Sequence, residues 1–336
     1  MDARDRIAPL GEGITAIDTV MANERELNAV YLLEATEPAL IEAGPGADHD
    51  RIVSALDALG VGAETLAHVI VTHIHMDHAG GVGALLERFP RATVWVHEIG
   101  ARHLVDPERL VASTARTYGE ERMRVLYGAM VPTPADRVKG VAGGERIELG
   151  DRSLTVVHTP GHASHHVALH DDRSGAIWTG EAIGSYLPWA DCYRPALPPP
   201  EVDIERSLSS ITAMRSRRPA TLLTSHFGPV ADPDEAFNRA SDRIKAWSSA
   251  VETILRDDPD TSEDELRATL EDLARHEFEV DAHRPIDLER YDALGSIRMN
   301  AQGLARYWRK RWERGATTGA QPSEASRSAA SNADGS

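Results

Sequence analysis

The chain holds a single cysteine, three lysines, few aromatic residues (5%) and no apolar run long enough to cross a bilayer. Cys192 alone cannot close an internal disulfide, so nothing points to an oxidising compartment. Lys139, Lys245 and Lys310 are the only lysines among 36 basic residues, and the rest are arginine. Acidic residues number 53, which gives a formal net charge of -17. Such a surface repels polyanions and argues against nucleic acid as a partner. The opening stretch MDARDRIAPLGEG has no apolar segment of signal-peptide length, so a cytoplasmic location without a membrane partner is expected. Acid surplus with scarce lysine also suits a high-salt cytoplasm, where carboxylates retain water. A GC-rich genome, favouring Arg and Ala, yields the same composition, and equal stability with and without molar KCl would remove the halophilic reading.

The 336 residues, 41% hydrophobic and 26% charged, suffice for one large domain with a substantial appendage. Short β-like runs lie around Ala29–Leu33 and Ala39–Glu42, before the turn Gly44-Pro45-Gly46. A helix is expected over Asp48–Leu59, a buried strand over Leu66–Thr72, a helix over Val82–Phe89 and a strand over Thr93–His97. Residues 98–131 read as helical. Short strands follow at Arg146–Leu149, Leu154–His158, His166–Leu169 and Ala176–Thr179, then a helix at Ile204–Arg215 and a strand at Thr221–Ser225. Beyond Pro233 the spacing changes to amphipathic helices over 234–257, 262–277 and about 287–313. From Gly315 onward the chain is small and polar, and disorder is expected. The division is 1–232, 233–314 as a helical region, and 315–336 as a tail.

The chemistry concentrates in His73-Ile74-His75-Met76-Asp77-His78, which places four metal-ligand side chains within six residues straight after an apolar strand. Imidazoles and carboxylates at this density are what divalent first-row metals require, and surface histidines do not follow a buried strand leading into Gly80-Gly81.

This H-x-H-x-D-H pattern resembles the signature of the metallo-β-lactamase superfamily. Thr159-Pro160-Gly161-His162, Thr179-Gly180-Glu181 and Ser225-His226-Phe227-Gly228-Pro229 resemble that family's later elements in order and spacing, so the resemblance covers roughly residues 14–230. It implies a four-layer αββα sandwich of α/β (α+β) class, here with a C-terminal helical appendage. It further implies two divalent metal ions, zinc first with iron or manganese as alternatives. His73, His75 and His162 would hold the first ion, and Asp77, His78 and His226 the second. Glu181 would bridge the two or bind the second alone. Glu181 stands where the family usually has Asp, and Ile41-Glu42-Ala43-Gly44 where it commonly reads Asp-x-Gly. Asp191 is the fallback ligand. Asp77 is the candidate catalytic residue, orienting a metal-bound hydroxide and accepting its proton.

Tyr186, Tyr193 and Arg194, with Trp189, follow Glu181 in a loop that either lines a substrate pocket or packs against the helical region. The 98–131 segment, with Arg116, Tyr118 and Tyr127, is a candidate lid. His165 and His166 are expected to hydrogen-bond near the strand start. His97 is read as a plain loop histidine, His276 and His283 as structural, and Cys192 as inert. The resemblance implies a metal-dependent hydrolase of a small ester-like molecule, thioester or lactone first. A mononuclear iron persulfide dioxygenase and a non-catalytic metal-binding protein are the alternatives. The helical region could cap the site or form a homodimer interface.

Overall fold

A computed structural model describes the backbone of residues 2–318 and the side chains of residues 2–314. The first sheet has seven strands: β1 (Ile7–Gly11), β2 (Ile14–Asp18), β3 (Ala29–Leu33), β4 (Ala39–Ile41), β5 (His68–Ile70), β6 (Thr93–His97) and β7 (Val138–Val141), paired in that order. Pairing is antiparallel through β4 and parallel from β4 to β7. The second sheet uses β8 (Arg146–Glu148), β9 (Ser153–His158), β10 (Val167–Asp171) and β11 (Ala176–Gly180). A separate hairpin of β12 (Ser185–Leu187) and β13 (Cys192–Arg194) precedes β14 (Thr221–Thr224) and β15 (Pro229–Val230). The order of the second sheet is β15-β14-β11-β10-β9-β8, with β11 and β14 parallel.

Alternation along the strands builds the layers. In β3, Ala29, Tyr31 and Leu33 face the other sheet, while Val30 and Leu32 face helices. In β11, Ala176 and Trp178 face inward and Ile177 outward. The inter-sheet core is closed by Ile41, Ile70, Val156 and Leu169. Outside the first sheet lie α1 (His49–Ala58), α2 (Met76–Ala79), α3 (Val82–Arg88), α4 (Glu98–Val105), α5 (Glu108–Tyr118) and α6 (Glu120–Tyr127). Outside the second lie α7 (Ile204–Arg215), α8 (Pro233–Asp257), α9 (Glu263–Ala282), α10 (Leu288–Tyr291) and α11 (Ser296–Thr318). The result is the expected αββα sandwich with a helical C-terminal region. Phe237, Trp247, Phe278 and Leu304 of that region share one core with Ile177 and Leu222 of the second sheet, so the helices thicken the outer layer.

Several local differences from the sequence reading have physical reasons. Strands β1 and β2 are short, and Pro9 lies in β1, which tolerates proline because it is an edge strand. The 98–131 segment is three short helices, broken around Asp106-Pro107 and at Gly119. The helix expected over 287–313 is divided at Gly295, whose φ of +71° suits glycine. Helix α11 reaches Thr318, past Gly315, and the remainder of the expected disordered tail lies outside the described residues.

Candidate metal centre and its cavity

Five chain segments leave the strands at one edge of the sandwich and converge: Glu42 after β4, Thr72–His78 after β5, Thr159–His166 between β9 and β10, Glu181 after β11, and Ser225-His226 after β14. They form two groups. One joins His73, His75, His162 and Glu181, the other Asp77, His78 and His226, with the potential ligand atoms of each within 4.8 Å of one another.

The outer ring nitrogens fix the inner ones. His162 Nδ1 donates to the Ala196 carbonyl (3.0 Å) and His226 Nδ1 to the Leu27 carbonyl (2.7 Å). His78 Nδ1 donates to Glu42 Oε1 (3.1 Å), and His73 Nδ1 meets Thr72 Oγ1 (3.0 Å). The Nε2 lone pair of each ring therefore faces the centre, the arrangement of a metal-ligating histidine. His73 Nε2 and His162 Nε2 lie 3.0 and 2.8 Å from His75 Nδ1. Two lone pairs aimed at a third nitrogen call for a cation among them. His78 Nε2 and His226 Nε2 are buried and make no hydrogen bond at all. Unpaired polar atoms in such a place are costly unless an ion satisfies them. The donor set thus fits divalent metal.

Glu181 belongs to the first group and reaches the second. Its Oε2 lies 2.9 Å from His162 Nε2, 3.4 Å from His73 Nε2 and 3.5 Å from His78 Nε2, while Oε1 lies 3.7 Å from His226 Nε2. Asp77 Oδ2 is 3.4 Å from His226 Nε2 and 3.7 Å from His78 Nε2. Burial works against the Asp77 charge, yet His78 and His226 hold its carboxyl down at about 2. Burial lowers the His73 and His75 rings, whereas at His162 the Glu181 carboxylate outweighs burial and raises the ring.

One support escapes a reading of the sequence, and a second is only partly visible there. Glu42 stands out there only as a departure from Asp-x-Gly. It is buried, with a φ of +65°, and accepts from Thr72 N (3.2 Å), Thr72 Oγ1 (2.5 Å), His78 Nδ1 (3.1 Å) and Ser225 Oγ (2.8 Å). A left-handed glutamate held by four donors is strain retained at a site. His166, expected to hydrogen-bond, does so to a purpose: its Nδ1 donates to Thr159 Oγ1 (2.7 Å) and its Nε2 accepts from Glu181 N (3.1 Å). Gly180 permits that contact. At its φ of +51° a Cβ would lie 2.4 Å from His166 Nε2 and 2.7 Å from Thr72 Oγ1.

The metal groups open into a cavity of about 370 Å³. Ile74, Met76 and Asp77 lie on its floor, and α4, α5 and Tyr127 form one wall. Residues 195–201 and the start of α11, including Met299 and Asn300, form the other. Asn300 donates to the Pro195 carbonyl and accepts from Leu197 N, both at 2.7 Å, so the C-terminal region caps the cavity by clamping that loop.

The aromatic loop needs correction. Tyr186 and Tyr193 do not line the cavity. Tyr186 donates to Asp191 (3.0 Å), Tyr193 is buried beneath Arg239, and Trp189 packs on Phe278 at 5.3 Å between ring centroids. Apolar burial against the C-terminal helices outcompetes exposure in the cavity. Arg194 does line it, but its guanidinium is engaged by the Tyr291 carbonyl and by Ser185 Oγ (3.3 Å). Asp191 pairs with Arg239 (3.3 Å), away from the centre. His97 caps α4 by accepting from Ile99 N, and His276 and His283 are exposed on or beside α9. Cys192 is buried, which pushes its thiol up to about 12 and leaves it unreactive.

The model of the metallo-beta-lactamase superfamily matches residues 24–226, which spans every residue of both groups. This chain belongs to the metallo-β-lactamase superfamily. The acyl-coenzyme A thioesterase MBLAC2 of Gallus gallus is 30% identical over 195 residues, covering 54% of this chain and 67% of that protein. The N-acyl homoserine lactonase AttM of Rhizobium radiobacter is 25% identical over 198 residues, covering 58% and 69%. The metallo-beta-lactamase family protein TTHA1429 of Thermus thermophilus superposes with a TM-score of 0.64 at 21% identity, covering 91% of this chain and 95% of that one. It shares the fold. Among the described residues, no helix is long and apolar enough to cross a membrane.

Proposed function

We propose that this superfamily member is a metal-dependent hydrolase of a small ester-like substrate, thioester or lactone first. The observation that carries the reading is the pair of buried Nε2 atoms on His78 and His226 without hydrogen bonds, beside a complete His73, His75, His162 and Glu181 group. A single-iron dioxygenase centre using His73, His75 and a third ligand leaves that second group unexplained. The similarity to a thioesterase and to a lactonase supports acyl chemistry.

When bound, two divalent ions lower the pKa of water towards roughly 7 and polarise a carbonyl. His73, His75, His162 and Glu181 would hold one, and Asp77, His78 and His226 the other, with Glu181 in reach of both. Asp77, ionised at neutral pH, orients the attacking water through its carboxylate and accepts the proton. The water oxygen bonds to the acyl carbon, the C–S or ring C–O bond breaks, and the proton passes to the leaving atom. Tyr118, pushed up to about 12 by burial, and Tyr127, also raised by burial, stay protonated in the cavity that Asp77 lines, and the Tyr118 hydroxyl is available to donate to the developing oxyanion.

The test is metal analysis of protein purified without chelator, followed by a panel of chromogenic esters, thioesters and lactones. Two zinc ions per chain and turnover of an acyl substrate are expected. One iron per chain would favour the dioxygenase, and a metal-loaded protein inert on the whole panel would favour a binding protein.

A further inference from the structure

Helix α5 is an eleven-residue amphipathic segment none of whose side chains is fully buried, although Leu110, Val111 and Tyr118 pack partly against the helix-side core of the first sheet. Its inner face, with Leu110, Thr114 and Tyr118, looks into the cavity. Arg109 and Arg116 of this helix, with Arg102 and His103 of α4, also border that space. None of these three arginines meets a carboxylate within ion-pair distance among the described residues. Arg152, Arg239 and Arg243, by contrast, are each paired with a carboxylate. The cavity's carboxylates are otherwise committed: Asp77 and Glu181 to the metal groups, and Glu201 to Ser164 N (2.8 Å). A local cationic wall therefore faces the site in a chain of net charge -17.

Spacing tells what it fits. Arg109 and Arg116 are seven residues apart, which places them on one helix face about 10 Å from each other. One carboxylate can occupy only one of them. A group with several charges spread over that length can engage both, and guanidinium matches phosphate with two parallel hydrogen bonds. We propose that Arg102, Arg109 and Arg116 form a specificity wall for the non-reacting half of the substrate, and that this half is a phosphate-bearing, polyanionic thiol arm. The acyl group lies against the apolar side of the cavity. The assignment rests on the thioester reading and names its leaving group.

The experiment compares a short-chain acyl-coenzyme A with the same acyl group on N-acetylcysteamine, which keeps the thioester and lacks phosphates. The wild-type protein should prefer the coenzyme A thioester by kcat/KM, and molar salt should erode that preference by screening. In the double variant Arg109→Glu, Arg116→Glu the ratio of the two kcat/KM values should fall roughly tenfold or more, as expected when charge-assisted contacts are lost. Because Arg109 and Arg116 are themselves exposed, the melting temperature should stay near the wild-type value. Calorimetric binding of desulfo-coenzyme A, which cannot turn over, should weaken to a similar degree in the variant. A ratio that stays unchanged, or equal desulfo-coenzyme A affinity for the two proteins, overturns the wall. A preference for S-acylglutathione that the same variant abolishes overturns the phosphate assignment in favour of carboxylates. If no thioester is cleaved, the thioester reading fails, and the binding comparison still decides the wall by itself.

Discussion

Replacing Glu42 with glutamine separates support of the metal centre from ligation, because Glu42 touches no ion site yet accepts four hydrogen bonds from residues that do or adjoin them. Three donors converge on Oε1 and Thr72 N approaches Oε2. A glutamine oxygen can serve the three, but its NH2 then confronts the Thr72 N–H. Losing the charge costs about 0.5–1 kcal/mol per bond, and the confronted N–H adds on the order of 1–2, for a total of about 4 kcal/mol. Calorimetry should show a melting temperature lower by roughly 5–10 °C. The His78 ring loses its anchor directly and His73 only through Thr72. Titration of the metal-free protein with zinc should therefore show the second site weakened about 10- to 100-fold and the first site less. Equal loss at the two sites, or affinities at both within about twofold of wild type, would refute the claim that Glu42 orients His78.

Asp77→Asn should lower kcat far more than zinc content measured on the same sample; parallel loss would make Asp77 a ligand alone. Glu181→Ala removes a carboxylate that reaches imidazoles of both metal groups, so zinc stoichiometry should fall together with activity, whereas retention of both ions would deny it that place. Asp48, buried beside Arg51, is pushed up to about 6 by burial from 3.8. With the folded value raised, its contribution is present below pH 4 and lost as the pH rises to 6. Asp48→Asn should thus be more stable than wild type at pH 8 by about 3 kcal/mol and gain little at pH 4, as urea melts at both pH values would show. A chain ended after Asp232 loses Phe237, Trp247, Phe278 and Leu304 from the core they share with Ile177. At about 1.5–3 kcal/mol for each buried side chain the loss rivals the whole stability of a domain, and circular dichroism should find no cooperative unfolding.

Much of the centre is legible in the sequence. The run Val69–His78 announces itself because β-branched residues, dense imidazoles and Gly80-Gly81 leave few other arrangements, and His162, Glu181 and His226 each follow a recognisable strand. Strands β1 and β2 are not legible, since five residues with Pro9 and flanking glycines carry too little periodicity. Nor is the fate of Tyr186 and Tyr193. The loop's composition suits a pocket and a core equally, and the choice depends on α8 and α9, which come later in the chain. Glu42 stays hidden because one acid at a strand end gives no sign that Thr72, His78 and Ser225 will converge on it.

The two glutamates that replace the family's usual aspartates acquire a common sense in three dimensions. A side chain longer by one methylene carries its carboxylate further from its own backbone, so the backbone has to be seated to match. At Glu181 this is done by Gly180, whose missing Cβ admits His166 Nε2 to the Glu181 N–H, and by Thr159, which orients the His166 ring. The carboxylate then arrives within 3.5 Å of imidazoles from both metal groups. At Glu42 the left-handed backbone makes the corresponding adjustment, and Thr72, Ser225 and His78 take up the oxygens. Thr72 touches Glu42 and the His73 ring and also abuts Gly180, so the two seatings are mechanically joined. Shortening either glutamate alone to aspartate would pull a carboxylate from the centre without moving the backbone that positions it. Each single change should therefore weaken metal binding, and restoring it should require a matched change at Gly180 or Thr72.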